Sequence, residues 1–227
     1  MKRKKTATSG EVDSRISQPE LARGKFGGLS GKIKKELKEW ARSILFALLF
    51  VIIFNQYFFK AYKVEGISMQ PLLQDGQRIF VNRYLYSDPL PLLDIELPWR
   101  RDPQHGDVVV FWFPEEPKKS YIKRVLGVPH DRIEIRNGVF YINNRRVDDS
   151  FIPAAFKSYG NMSPLIVPKG YYFCVGDHRN RSYDSRAWGA VPKKYIIGKA
   201  FFRYWPLTAI GGIHYNDERP FFVDEPA

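Results

Sequence analysis

Between Ser43 and Phe59 the chain runs for 17 residues without a charge, and from Trp40 to Phe59 only Arg42 of 20 residues is charged. A helix of 20 residues reaches about 30 Å, the thickness of a bilayer's hydrocarbon layer, with Arg42 and Lys60 able to extend their charges to its two surfaces. One membrane helix over 43–60 is therefore expected. The rival is a cleavable secretory leader, but a basic stretch of 42 residues precedes the run and Lys60-Ala61-Tyr62-Lys63 follows it without an A-x-A exit. An uncleaved anchor fits better. Five basic residues from Lys32 to Arg42, against Lys60 and Lys63 beyond the run, place the N-terminus in the cytoplasm and 61–227 outside.

Residues 1–29 are polar, charged and too poor in apolar side chains to bury a core, which predicts a disordered basic cytoplasmic tail. From Ser30, a plausible cap, the pattern turns helical: Ile33, Leu37 and Trp40 share one face while lysines occupy the others, predicting an amphipathic juxtamembrane helix over 30–42. The same residues explain the charge. Of the formal +12, residues 1–42 carry +7, so a topology signal and contact with anionic lipid account for the excess better than nucleic acid does. A single cysteine, Cys174, excludes an internal disulfide and a four-cysteine zinc site. The four histidines have no paired spacing, so no metal is expected.

Beyond Lys60 the chain reads as strand. Aromatics make up 15% of the sequence and Gly plus Pro number 33, with valine, isoleucine, tyrosine and phenylalanine in short runs. Asp107–Phe113 is apolar throughout, as in a strand buried on both faces, and Tyr121–Val128 reads as its partner. Arg132–Arg136, the pair Asn137-Gly138 and Val139–Ile142 form the clearest hairpin signal. Gln77–Arg83, Tyr171–Val175, Ile196–Tyr204 and Gly212–Tyr215 complete a mostly β, antiparallel, partly closed barrel-like domain. Tyr84–Gly106 is a proline- and leucine-rich loop whose apolar residues either touch lipid or pack on the sheet.

Ser68 lies between Ile67 and Met69, and Pro71 stops a regular strand from continuing, so its hydroxyl can face a cleft. A serine needs a base to become a nucleophile, and no histidine sits where a strand would fix its ring. Lys123 is the better candidate: in a strand it shares a face with Tyr121 and Val125, which would strip water from the amine. Lowering its pKa from about 10.4 to about 8 costs roughly 3 kcal/mol, within reach of burial. Gly176–Gly189 gathers Asp177, Arg179, Arg181, Asp184 and Arg186 beside Ser182 and Ser185. Such a cluster either solvates a loop or builds a hydrogen-bonded floor under a site.

Three stretches, G-I-S-M-Q-P-L-L with Ser68, Y-I-K-R-V-L-G-V-P with Lys123 and G-D-H-R-N-R-S-Y-D-S-R-A-W-G, resemble the type I signal peptidase (leader peptidase) family in kind and order. The resemblance implies a Ser-Lys dyad with Ser68 as nucleophile and neutral Lys123 as general base. It also implies that Ser182 orients the lysine by a hydrogen bond, that Asp184 and Arg186 form an ion pair beneath the site, and that Tyr62, Val64, Met69, Tyr121 and Ile122 line shallow apolar pockets for small residues. Gly66 stands where some members carry a serine, so a side-chain oxyanion donor is missing. The short segment before Tyr171 implies only a small inserted hairpin subdomain around 131–170. On this reading the partners are signal-peptide-bearing preproteins and the lipid bilayer, near a translocation channel, with no cofactor. The membrane is the bacterial cytoplasmic one or a thylakoid. The rivals are a self-cleaving Ser-Lys repressor, which the span disfavours, and an inactive anchored scaffold of the same fold.

Overall fold

The computed structural model describes residues 26–86, 100–213 and 221–223. The chain divides into two compact units, Met1–Leu49 and Phe50–Ala227. The first helix, α1, runs over Phe26–Phe58, so it starts four residues before the expected cap at Ser30. Residues 1–25 of the expected tail lie outside the described residues. Within α1 the side chains at 34–52 are described, and the large apolar ones among them, such as Trp40, Leu45 and Phe46, are exposed. Among the described residues no helix is long and apolar enough to cross a membrane; the side chains at 53–58 lie outside them. Phe59 and Lys60, expected to end the span, begin a strand instead.

Among the described residues thirteen strands follow: β1 Phe59–Lys63, β2 Arg78–Asn82, β3 Val108–Phe113, β4 Glu116–Gly127, β5 Arg132–Arg136, β6 Val139–Ile142, β7 Arg145–Val147, β8 Met162–Ile166, β9 Tyr171–Val175, β10 Val191–Pro192, β11 Ile196–Trp205, β12 Gly211–Gly212 and β13 Phe222–Val223. A short helix, α2, covers Ser185–Trp188. Eight strands form one antiparallel sheet in the order β1-β2-β11-β3-β4-β9-β10, with β12 branching from β11. Among the described residues the end strands do not pair with each other, so the sheet is open rather than closed into a barrel. The other five form a second sheet, β13-β7-β6-β5-β8.

The run at Val108–Phe113 is continuously apolar because both faces of β3 are covered. Val108 and Val110 pack with Val64, Met69, Leu73, Ile79 and Val81. Val109 and Phe111 pack on the other side with Val125, Tyr172 and Cys174. Each such side chain contributes about 1.5–3 kcal/mol of burial. β9 is likewise two-faced, and its Phe173 and Val175 join Leu126 to Ile133, Ile135, Phe140 and Ile142 of the second sheet.

The second sheet exceeds the hairpin expected at 131–170. β5 and β6 do form that hairpin, with Arg136 opposite Val139. Asn137 and Gly138 both hold positive φ, 49° and 81°, the turn geometry whose twist matches paired strands. β7 and β13 extend the sheet on one side and β8 on the other. Pro164 sits in β8, an edge strand, where a missing N–H leaves no ladder bond broken.

Candidate active site

Ser68 sits in the connection between β1 and β2, a loop closed at its base by Val64 N–H donating to Gln77 O (2.8 Å) and Gly76 N–H donating to Val64 O (2.9 Å). Met69 and Leu73, at 1% and 0% exposure, anchor the loop in the core. From the other side, His178 N–H donates to Ser68 O at 3.0 Å. That contact requires a glycine two residues earlier. A Cβ on Gly176 would lie 2.4 Å from Ser68 O and 2.3 Å from Ser182 Oγ.

Lys123 projects from β4, opposite Val109 of β3. Its Nζ lies 2.6 Å from Ser68 Oγ and 5.4 Å from the centre of the Tyr121 ring. The side chain is 4% exposed. Burial pushes the Lys123 amine down to about 8, against the pull of the Asp184 carboxylate and with a smaller push from Arg186. About a tenth of the amines are then neutral at pH 7 and half at pH 8.

Asp184 and Arg186 pair as expected: Arg186 Nε and Nη2 donate to the two carboxylate oxygens, each at 2.8 Å. Asp184 also accepts from Gly176 N–H at 3.0 Å and caps α2. Burial alone would raise its pKa, but Arg186, with the Ser182 hydroxyl and the Gly176 N–H, holds the carboxyl below its ordinary value. Ser182 Oγ departs from its expected role. It is buried and meets no partner at hydrogen-bonding geometry, so no bond to Lys123 is formed, although its hydroxyl is near enough to Asp184 to help keep that carboxylate charged.

A cleft of about 340 Å³ opens on Ser68 and Lys123. Tyr62, Val64, Tyr121 and Ile122 line it, as expected. Met69 does not, because the turn after Ser68 carries it into the core. Arg181 and Tyr183, not singled out for the wall from sequence, also line the cleft. Gly66 has φ of 87° and its N–H is taken by Asp75 Oδ1 at 2.7 Å, so it offers neither side chain nor backbone donor. The Ser68 N–H has no acceptor among the described residues.

Sequence reasoning also missed the role of Arg124. Its Nε and Nη2 donate to the Asp177 carboxylate at 2.8 and 2.7 Å, and Nη1 donates to Gly106 O at 2.9 Å. Both partners are essentially unexposed. The pair ties β4 to the segment that holds Ser68. Its signal was strand alternation, which turns Arg124 away from Lys123 and into the opposite face of a strand buried on both. Among the described residues no cluster of His, Cys, Asp or Glu could hold a metal.

A hydroxyl within hydrogen-bond reach of a largely unexposed amine whose pKa is lowered is an arrangement that can serve as nucleophile and base. Residues 37–205 match the family model described as Signal peptidase, peptidase S26. A signal peptidase IB from Staphylococcus aureus is 34% identical over 192 residues, covering 78% of this chain and 93% of that protein. A probable signal peptidase I-2 from Synechocystis sp. is 32% identical over 189 residues, covering 80% of this chain and 79% of the other. A crystal structure of a signal peptidase I from Enterococcus faecalis is 29% identical with a TM-score of 0.39, over 44% of this chain and 97% of that one. The chain belongs to the type I signal peptidase family, and it is a protease.

Proposed function

We propose that this chain is a membrane-anchored serine endopeptidase that removes signal peptides from exported preproteins, with Ser68 as nucleophile and Lys123 as general base. The observation that carries the reading is the 2.6 Å separation of Lys123 Nζ and Ser68 Oγ beside a cleft, with the amine 4% exposed. Neutral Lys123 takes the Ser68 proton as Oγ attacks the scissile carbonyl, then returns it to the leaving amine. Water repeats the sequence to release the acyl group. The Ser68 N–H supplies one oxyanion donor. No cofactor takes part. Tyr62, Val64, Tyr121 and Ile122 favour small side chains at the first and third positions before the cut, because a larger one collides with the wall.

The uncharged run at 43–59 supports an anchor, with the N-terminus cytoplasmic and the catalytic unit on the outer face. Tethering in the bilayer that holds the substrate's signal peptide, beside the translocation channel, raises the effective substrate concentration. The test uses purified Ser68→Ala and Lys123→Ala proteins with one preprotein, reading the cut site by mass spectrometry. Both variants lose processing on this reading; wild-type rates from either contradict it.

A further inference from the structure

Three arginines of the segment 176–189 end in different surroundings. Arg186 pairs with both oxygens of the buried Asp184 carboxylate. Arg179 is 3% exposed, with its guanidinium over the Phe140 ring at 4.8 Å. Arg181 is the exposed one, on the wall of the cleft that opens on Ser68 and Lys123, and its side chain has no ion pair or hydrogen bond among the described residues. A guanidinium presents its donors in a planar fork that matches a carboxylate.

The turn that carries Arg181 fixes how near it comes to the reacting serine. His178 N–H donates to Ser68 O at 3.0 Å, and Arg181 N–H donates to His178 O at 3.0 Å, closing a tight turn over Arg179–Arg181. With about 2 Å of rise per residue, Arg181 stands about 6 Å from His178 along that turn. A substrate in extended form advances about 3.3 Å per residue, so the chain leaving Ser68 passes Arg181 within its first residues. The pockets for small side chains before the cut are built by Tyr62, Val64, Tyr121 and Ile122, from the end of β1 and from β4. Arg181 and Tyr183 form a different wall, left to the residues after the cut. The other charges along the cleft do not override Arg181. Lys63 and Glu65 stand 3.8 Å apart and offset one another, and burial pushes the Lys123 amine down to about 8. Arg181 therefore sets the sign of the field on its side of the cleft.

We infer that Arg181 is a specificity-determining residue, drawing an aspartate or glutamate at the first or second position after the cut and disfavouring a lysine or arginine there. The inference rests on the reading of Ser68 as nucleophile, since that places the cut. An exposed pair of opposite charges changes an equilibrium by up to about fivefold, and like charges cost a similar factor.

The full chain, solubilised in detergent, is given peptides at low salt and pH 9, where Lys123 is mostly neutral and does not enter the comparison. The peptides share small residues before the cut and differ only in carrying Asp, Asn or Lys at the first position after it, or at the second. At one of the two positions kcat/KM falls in the order Asp, Asn, Lys, by up to about fivefold per step. Arg181→Gln brings the three rates together, and Arg181→Glu inverts their order, which a loss of structure does not do. Binding of the same peptides to Ser68→Ala, followed by fluorescence anisotropy, shows the same order without cutting, so failure of the proposed chemistry is read separately from failure of the Arg181 contact. Equal wild-type rates at both positions, or an order that survives Arg181→Gln, overturns the inference.

Discussion

Lys123 Nζ and Ser68 Oγ stand 2.6 Å apart across a sequence separation of 55 residues. The lysine is fixed by a strand laddered on both sides, while the serine rides on a turn pinned by Met69 and Leu73 below and by the His178 N–H beside it. Neither group is reactive by itself at neutral pH. Burial disfavours the ammonium form, so the base becomes available as pH rises through about 8. The rate constant kcat/KM for preprotein cleavage should therefore climb about tenfold per pH unit below that midpoint and level above it. A steady-state pH profile checks this, and Lys123→Ala should reduce the plateau by at least about 10³-fold.

The same burial carries a stability cost. Unfolded, the lysine titrates at its ordinary 10.5; folded, at about 8. Between those values the unfolded chain binds more protons, so stability rises with pH across that window and the penalty is full below about 8. Lys123→Met should therefore stabilise the protein by roughly 2–3 kcal/mol at pH 7, and the gain should vanish toward pH 10.5. Denaturant unfolding of both proteins at pH 7 and pH 10 measures it.

Gly176→Ala should disable the site without touching either reactive group. The added methyl would lie 2.4 Å from Ser68 O, a backbone atom rather than the end of a flexible side chain, and 2.3 Å from Ser182 Oγ. Ser68 must move, and displacement of about 1 Å costs on the order of 10²-fold in rate. The expected outcome is a folded protein, by circular dichroism, with kcat lowered by that factor.

Breaking the Arg124–Asp177 pair one partner at a time leaves a buried charge uncompensated. Asp177→Asn and Arg124→Met should each destabilise by about 3–5 kcal/mol, whereas the double variant should lose less than the sum of the two. A double-mutant cycle of unfolding free energies reads the difference.

Much of this was legible in the sequence for identifiable reasons. Asn137-Gly138 demanded positive φ at two successive residues, so the β5–β6 hairpin followed. An uninterrupted apolar run meant two covered faces, which β3 has. Ser68 and Lys123 stood out because a strand break and an apolar flanking context are local properties. Arg124 did not, since a charge beside a charge reads as solvated until the sheet on its far face is known. β7, β8 and β13 are five residues or fewer, with β7 mostly arginine, β8 interrupted by Pro164 and β13 only two residues long, and gain their pairing only from neighbours. Met69 was assigned to the cleft by analogy, but the turn after Ser68 rotates it into the core.

The account turns on the protonation of one amine. Chain labelled with ¹³C at lysine Cε, with the Lys123 resonance assigned by its loss in Lys123→Met, reports that protonation directly as pH is varied. The account predicts a midpoint of about 8 for Lys123, well below the ordinary 10.5 of a lysine amine. A Lys123 midpoint among those of the exposed lysines would contradict it.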